Sequence, residues 1–190
     1  MLTRLSGWIQ RVSKGWVALT ALVVFLLFTA LVLPQQSSKA GTEVRAAGSP
    51  DLSFFYTAGD LDRMAEAYGQ AGRQAYLQAR FTFDLIWPVV YTVFLCTAIS
   101  WVYRRAFDPH SQWLRSNLVP VFAILFDYLE NITTSLVMWQ FPNRMPLIAT
   151  LAPVFTMGKW ILVTGSILLL LIGLGVAITR WLIGSLGKAS

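Results

Sequence analysis

The chain has 190 residues, of which 56% are hydrophobic and 13% charged, and its formal net charge is +6. A mean hydropathy of +0.59 excludes an ordinary soluble domain, which would expose large apolar patches to water. The basic residues flank apolar runs and match no nucleic-acid-binding motif, so we expect no nucleic-acid partner. This composition predicts an all-α polytopic membrane protein, folded as a single membrane domain over residues 1–190, with the lipid bilayer as its partner.

Cysteine and histidine each occur once, which limits metal and redox chemistry. Cys96 has no second thiol in the sequence with which to form a disulfide or a CxxC motif. A single histidine, His110, excludes bis-histidine haem. We therefore expect no cofactor and no metal, and the acidic residues on the spans leave a three-carboxylate metal site as an alternative.

Residues 1–15 have the pattern of a short helix that lies in the membrane interface. Their apolar residues recur at helical spacing, and three basic residues accompany them. The apolar set is Leu2, Leu5, Trp8, Ile9 and Val12, and the basic set is Arg4, Arg11 and Lys14. We predict an interfacial helix on the inner leaflet, with the basic start of a signal peptide as the alternative.

Residues 17–33 form an uncharged run that is long enough for the first transmembrane span. At 1.5 Å per residue the run reaches roughly 25 Å, near the lower end for a span. A secretory signal has a shorter apolar core of ~7–15 residues, although Val44-Arg45-Ala46 resembles a weak cleavage site. We therefore expect an uncleaved anchor, with a cleaved signal as the alternative.

The segment 34–80 is the most polar part of the chain, and we predict that it lies outside the cytoplasm. Its first part, 34–50, is a linker without periodicity. Thr57-Ala-Gly-Asp60 then has the form of a helix capping box. The residues that follow mark one face of an amphipathic helix: Leu61, Met64, Ala65 and Tyr68.

Two glycines are expected to end that helix. Gly69 and Gly72 interrupt the pattern, and a second helical stretch begins at about Arg73. Since the apolar side chains of residues 60–80 need a surface to cover, we predict that this segment is helical and packs over the outer mouth of the bundle.

Three further apolar runs complete a topology of four transmembrane helices: residues 81–102, 118–140 and 150–178. Pro88 is expected to kink the second span, because its nitrogen cannot donate to the Asp84 carbonyl. Pro153 is expected to break the chain near the start of the fourth span.

Positive charge near the spans sets the orientation. The N-terminal tail contains three Lys or Arg residues, the loop 103–117 three and the C-terminal tail two, against a single acid, Asp108. The segment 34–80 is balanced, with five basic and five acidic residues. We predict an N-in/C-in protein of the bacterial inner (plasma) membrane.

Ionisable side chains occur inside the predicted spans, where each costs ~2.5–3.5 kcal/mol to insert. Positions counted along the helices place them within roughly 5–10 Å of one another in depth. We predict that six side chains point inward into one intramembrane polar cluster: Asp84, Tyr91, Asp127, Glu130, Asn131 and Lys159.

Two interpretations of this cluster remain open. In the structural one, Glu130 pairs with Lys159, the only cation expected at that depth, and Arg80 holds Asp84. Asn131 and Tyr91 then satisfy the remaining hydrogen bonds. In the functional one, Asp127 has no partner and forms a binding or proton-handling site.

Several short motifs between residues 52 and 165 occur in the order seen in a group of small, uncharacterised bacterial inner-membrane proteins with four spans. The matching pieces are Tyr68-Gly-Gln-Ala-Gly72-Arg73, Phe83-Asp84 with Pro88 and Tyr91, Phe126-Asp127-Tyr-Leu-Glu130-Asn131, and Lys159-Trp160. The chain resembles this group, and the resemblance implies a four-helix membrane fold without implying a mechanism.

Two functions are compatible with these features. The first is a non-enzymatic membrane protein, an accessory or assembly subunit whose partners are other subunits of a larger membrane complex. The alternative is a membrane protein that binds or processes a lipid or a proton-coupled solute through the acidic cluster. We favour the first, because the sequence offers no Ser/His/Asp set, phosphate loop or His/Cys metal cluster, and we assign no catalytic residue.

Overall fold

The computed structural model describes residues 1–35 and 47–186, and every regular element in those ranges is helical. Seven α-helices lie wholly within them: α1 Leu2–Val12, α2 Gly15–Leu27, α3 Ala58–Ala67, α4 Gly69–Arg80, α5 Phe83–Ala106, α6 Val119–Gln140 and α7 Pro146–Leu186. Short 3-10 segments form at Pro50–Leu52 and Gln112–Leu118. Most of the predicted linker, the cleavage-like motif at 44–46 and Lys188 fall outside the described residues.

Four helical stretches are long and apolar enough to cross a membrane: Gly15–Gln35, Gly69–Ala106, Gln112–Gln140 and Pro146–Ser185. They overlap the four predicted spans and make the chain a multi-pass helical membrane protein. The α5, α6 and α7 helices pack against one another, and α2 packs on α5. The Phe25 and Phe28 rings of the α2 stretch stack on Trp87 of α5, with centroids 5.6 and 5.5 Å apart.

Helices α3 and α4 cover the end of the bundle where α6 meets α7. Leu61 and Ala65 of α3 are fully buried against an apolar cluster that includes Met138 of α6 and Ala152 of α7. The predicted capping box is present at the start of α3. The Asp60 amide donates to Thr57 Oγ1 at 3.2 Å, and the Thr57 amide donates to the Asp60 carboxylate at 2.8 Å.

The break between α3 and α4 is confined to one glycine. Gly69 has φ +61°, a conformation that strongly favours glycine. The expectation that Gly72 also interrupts the helix is wrong, because Gly72 lies inside α4. Arg73 donates to the Ala65 carbonyl at 2.8 Å, so α4 supplies a partner for the last turn of α3.

The fourth span does not break at Pro153. It continues as one helix of 41 residues from Pro146 to Leu186. Pro153 removes one amide donor, but Ala149 and Ala152 before it are buried against α3 and α6, and this packing maintains the helix. A helix of this length reaches about 60 Å, so α7 must tilt or project beyond a hydrocarbon core of ~30 Å.

Helix α1 is attached to the opposite end of the bundle through polar side chains. Ser6 donates to Asn117 Oδ1 at 2.8 Å, and the Asn117 amide donates to Ser100 Oγ at 2.9 Å. Arg104 of α5 also donates to the Ser13 carbonyl at the end of α1. These bonds hold α1 against α5 and the 3-10 segment.

Candidate functional site

The six side chains predicted to share a cluster lie together between α4, α5, α6 and α7, beneath the segment that contains α3. Four further residues, Asp51, Tyr56, Arg80 and Thr156, join them through hydrogen bonds and ion pairs. We call these ten residues the ionic cluster. Exposure is 0% for Glu130, 5% for Arg80 and 6% for both Asp127 and Lys159. Because lipid tails offer no hydrogen bonds, these groups depend on one another for their partners.

Lys159 of α7 lies between two carboxylates. Its ammonium group forms an ion pair with Glu130 of α6 and is 3.5 Å from Asp51 Oδ1. The other carboxylate oxygen of Glu130 accepts a hydrogen bond from the Thr156 hydroxyl at 2.9 Å. The Tyr56 hydroxyl is 2.9 Å from that of Thr156, so a short chain of hydroxyl groups ends on Glu130. The predicted pairing of Glu130 with Lys159 is therefore present.

Arg80, the last residue of α4, is the second cation of the cluster. Its guanidinium forms an ion pair with Asp51 and donates to Asp84 at 2.6 Å and to Asn131 Oδ1 at 3.3 Å. The guanidinium also lies 4.3 Å from the centre of the Tyr76 ring. The predicted contact with Asp84 is confirmed. The expectation that Lys159 is the only cation at this depth is wrong, because Arg80 points into the same buried site.

Asp51 joins the two cations and was not expected from the sequence. It lies in the 3-10 segment before α3, contacts both Arg80 and Lys159, and is held by a hydrogen bond from Trp160 Nε1 to its backbone carbonyl at 3.2 Å. Burial alone would raise the pKa of Asp51, but the positive charges of Arg80 and Lys159 hold it below its ordinary value. We infer that Asp51 is ionised at neutral pH.

Asp127 differs from the other three acids of the ionic cluster, since none of the described residues forms an ion pair with it. It accepts hydrogen bonds from the Tyr91 hydroxyl at 3.0 Å and from Asn131 Nδ2 at 3.1 Å. Asn131 thereby connects Asp127 to Arg80. All six predicted residues thus belong to one network.

In this network the carboxylates and the two cations compensate one another's charges. Four carboxyl groups face two cations, and three of the four are paired with Arg80 or Lys159. Within residues 1–35 and 47–186 there is no group of three or more His, Cys, Asp or Glu side chains arranged to hold a metal ion. The arrangement can tie separate segments together, and Asp127 is the member that has hydrogen bonds but no counter-ion among the described residues.

The sequence already indicated a second cation, because the structural interpretation pairs Arg80 with Asp84. It did not indicate that Arg80 also reaches Asp51 and Asn131. Three acids on the spans exceed the one lysine there, and two unpaired carboxylates at membrane depth would be costly. Arg80 stands one turn before Asp84 and can meet that need. No comparable signal identifies Asp51, because it follows a linker without periodicity.

The fold and the ionic cluster together define a multi-pass helical membrane protein with a buried network of paired charges. Comparisons of the chain with protein-family models, with curated proteins and with solved structures find no match.

Proposed function

We propose that this chain is a non-enzymatic protein of the bacterial inner membrane that serves as an accessory or assembly subunit of a larger membrane complex. The observation that carries the proposal is that each of the two buried cations contacts two carboxylates. Arg80 contacts Asp51 and Asp84, and Lys159 contacts Asp51 and Glu130. Charges that compensate one another in this way fix the arrangement of a scaffold.

The ionic cluster acts in this proposal as an internal clamp. Asp51 belongs to the segment before α3, Arg80 to α4, Glu130 to α6 and Lys159 to α7, so its ion pairs join four parts of the chain. A buried pair adds little net stability by itself, but the loss of one member leaves an uncompensated charge. The clamp therefore specifies how the segment 47–80 sits on the bundle.

The distribution of charge supports an orientation with both termini in the cytoplasm. One end of the bundle, formed by residues 1–14, 104–118 and 180–186, carries seven basic residues and one acid. The basic residues are Arg4, Arg11, Lys14, Arg104, Arg105, Arg115 and Arg180, and the acid is Asp108. Since basic residues near spans remain on the cytoplasmic side, this end is proposed to face the cytoplasm.

The glycines of α7 support a partner subunit on the outer face of that helix. Gly158 and Gly173 are packed so closely on Phe126 and Tyr103 that an added Cβ would clash. A Cβ added at Gly165, by contrast, would meet open space. Glycine in a helix costs about 1 kcal/mol relative to alanine, and close approach of another helix is a physical reason to retain it.

Gly175 is a second glycine with open space, and it is exposed. By the helical repeat, Gly175 lies about 180° around α7 from the buried Ser166, on the side that faces away from α5 and α6. It would allow a helix of another subunit to pack there.

Purification from native membranes in a gentle detergent, followed by mass spectrometry of the chains recovered, tests the proposal. The wild-type chain should recover a stoichiometric partner, and Gly175→Leu should lose it while remaining folded. Gly184→Leu is the matched control, because Gly184 has equally open space but projects to another side of α7. Recovery of the wild-type chain without a stoichiometric partner would contradict the proposal.

A second candidate function rests on Asp127. Its carboxyl group is 6% exposed and lacks a counter-ion among the described residues, and its two hydrogen-bond donors are Tyr91 and Asn131. This arrangement favours a protein that binds a lipid or a proton-coupled solute through the acidic cluster. A lipid or solute that co-purifies with the wild-type chain and is lost in Asp127→Asn would support this second function.

A further inference from the structure

Helix α1 has three distinct faces. Ser6, Ile9 and Ser13 are buried against the bundle. By the helical repeat of 3.6 residues, an exposed apolar set, Leu5, Trp8 and Val12, lies about 100° from that buried face. Two exposed basic residues, Arg4 and Arg11, lie nearly opposite the buried face, and the exposed Lys14 follows the end of the helix. A helix held in this way cannot rotate to hide its apolar face.

Two arginines of α5 extend the basic face at the corner between α1 and α2. Arg104 donates to the Ser13 carbonyl, and the Arg105 guanidinium lies 3.8 Å from the centre of the Trp101 ring. Trp101 itself packs on Gly15, where an added Cβ would lie 2.8 Å from its Nε1 atom. Lys14, Arg104 and Arg105 are therefore neighbours at this corner, and all three are exposed.

Acidic residues are scarce at this end of the bundle. Over the described ranges 1–35, 85–126 and 160–186, Asp108 is the one acid against seven basic residues. Its carboxylate is already 3.9 Å from Arg180. The surface is therefore strongly positive, and no acid among the described residues forms an ion pair with Arg11, Lys14 or Arg105.

We propose that this surface binds the headgroups of anionic phospholipids, with α1 lying in the interface of the adjacent leaflet. The apolar face then enters the boundary of the acyl chains, and the basic face meets the phosphates. Exposed tryptophans surround the same end, as expected at a membrane interface: Trp8, Trp16, Trp113 and Trp181. A nucleic acid or an acidic protein would leave the apolar face of α1 in water.

The proposal is tested with the full-length chain in an uncharged detergent, titrated with phosphatidylglycerol or with zwitterionic phosphatidylcholine. Bound lipid is counted by native mass spectrometry. The wild-type chain should prefer phosphatidylglycerol, and Arg11→Gln/Lys14→Gln should bind it about 30-fold more weakly. That factor corresponds to ~1 kcal/mol for each basic residue near an anionic membrane surface.

The control is Arg63→Gln/Arg144→Gln, which removes two exposed basic residues from the other end of the molecule. It should change the affinity for phosphatidylglycerol by less than about threefold. Equal losses in the two double variants, or equal wild-type affinity for both lipids, would overturn the proposal. The wild-type chain provides an independent check, because its preference for phosphatidylglycerol must weaken as salt is added, and a preference that salt leaves unchanged would also overturn it.

Discussion

The side-chain amide of Asn131 donates to the backbone carbonyl of Asp84 at 3.4 Å. This carbonyl lacks its helical donor, because the residue four positions later is Pro88. The same Asn131 nitrogen donates to Asp127 at 3.1 Å. Pro88 of α5 therefore leaves the Asp84 carbonyl free to accept a hydrogen bond from α6. This bond joins the two helices at the ionic cluster.

This relationship predicts that substitutions at Pro88 and Asn131 are coupled. Asn131→Ala should lower the free energy of unfolding by ~1–3 kcal/mol, because it leaves buried groups without partners. In a Pro88→Ala background the alanine amide can donate to the Asp84 carbonyl, so the same change should cost ~0.5–1.5 kcal/mol less. Denaturant unfolding of the four chains in mixed micelles measures the coupling. Strictly additive effects would show that the two residues act independently.

The second prediction concerns the buried pair of Glu130 and Lys159. Glu130→Ala should destabilise the protein by ~3–5 kcal/mol, because it leaves the buried ammonium of Lys159 with Asp51 alone. Glu130→Ala/Lys159→Met should recover most of that loss, since both charges are then absent. The unfolding midpoint in micelles provides the readout.

The exposed ion pair of Arg144 with Asp62 is the control for this experiment. Its atoms are 3.7 Å apart, and the Arg144 side chain is 76% exposed. Arg144→Ala should cost no more than ~1 kcal/mol. A double variant as unstable as Glu130→Ala would contradict the assignment of the effect to this ion pair.

A third prediction concerns pH. The pKa of Asp51 is below its ordinary value of 3.8, so its ionised form stabilises the fold above that pH, and the contribution is lost as the pH falls through the lowered pKa. Protection of the segment 47–80 from proteolysis should therefore persist from neutral pH to about pH 4 and decline below it. Asp51→Asn should expose the segment already at neutral pH. Cleavage that is unchanged in Asp51→Asn would show that Asp51 does not attach the segment.

The membrane-spanning helices follow from the sequence because long, predominantly apolar runs have one physical solution, a helix in lipid. The residue at which α7 ends cannot be predicted from the sequence, since its apolar run continues well past one membrane thickness. The continuity at Pro153 was also missed. A proline is read locally as a helix breaker, whereas the burial of Ala149 and Ala152 comes from tertiary packing.

The candidate site was predictable to the extent that helical spacing determines it. Glu130 and Asn131 lie on one face of α6, and Lys159 is the one basic residue inside the fourth span, so their meeting could be expected. The position of Asp51 depends on a chain path through a region without periodicity. Its role became visible only from contacts between residues far apart in sequence.

The fourth prediction concerns orientation. In a background with Cys96 replaced by alanine, a cysteine is introduced by His110→Cys or Asn143→Cys, positions that are both exposed and lie at opposite ends of the bundle. In intact cells a membrane-impermeant thiol reagent should label Asn143→Cys and leave His110→Cys unlabelled until the cells are lysed. Labelling of His110→Cys alone in intact cells would reverse the proposed orientation.

The most direct measurement of the central claim, that the ionic cluster is structural, compares partner recovery by three chains purified from native membranes. These are the wild-type chain, Glu130→Ala/Lys159→Met and Asp127→Asn, each first shown to be folded by its unfolding midpoint. If the cluster is a scaffold, quantitative mass spectrometry should find the same partner chains in the same ratio with all three. If Asp127→Asn is as stable as the wild-type chain but loses its partner or a bound lipid, the scaffold account is contradicted and Asp127 is a functional site.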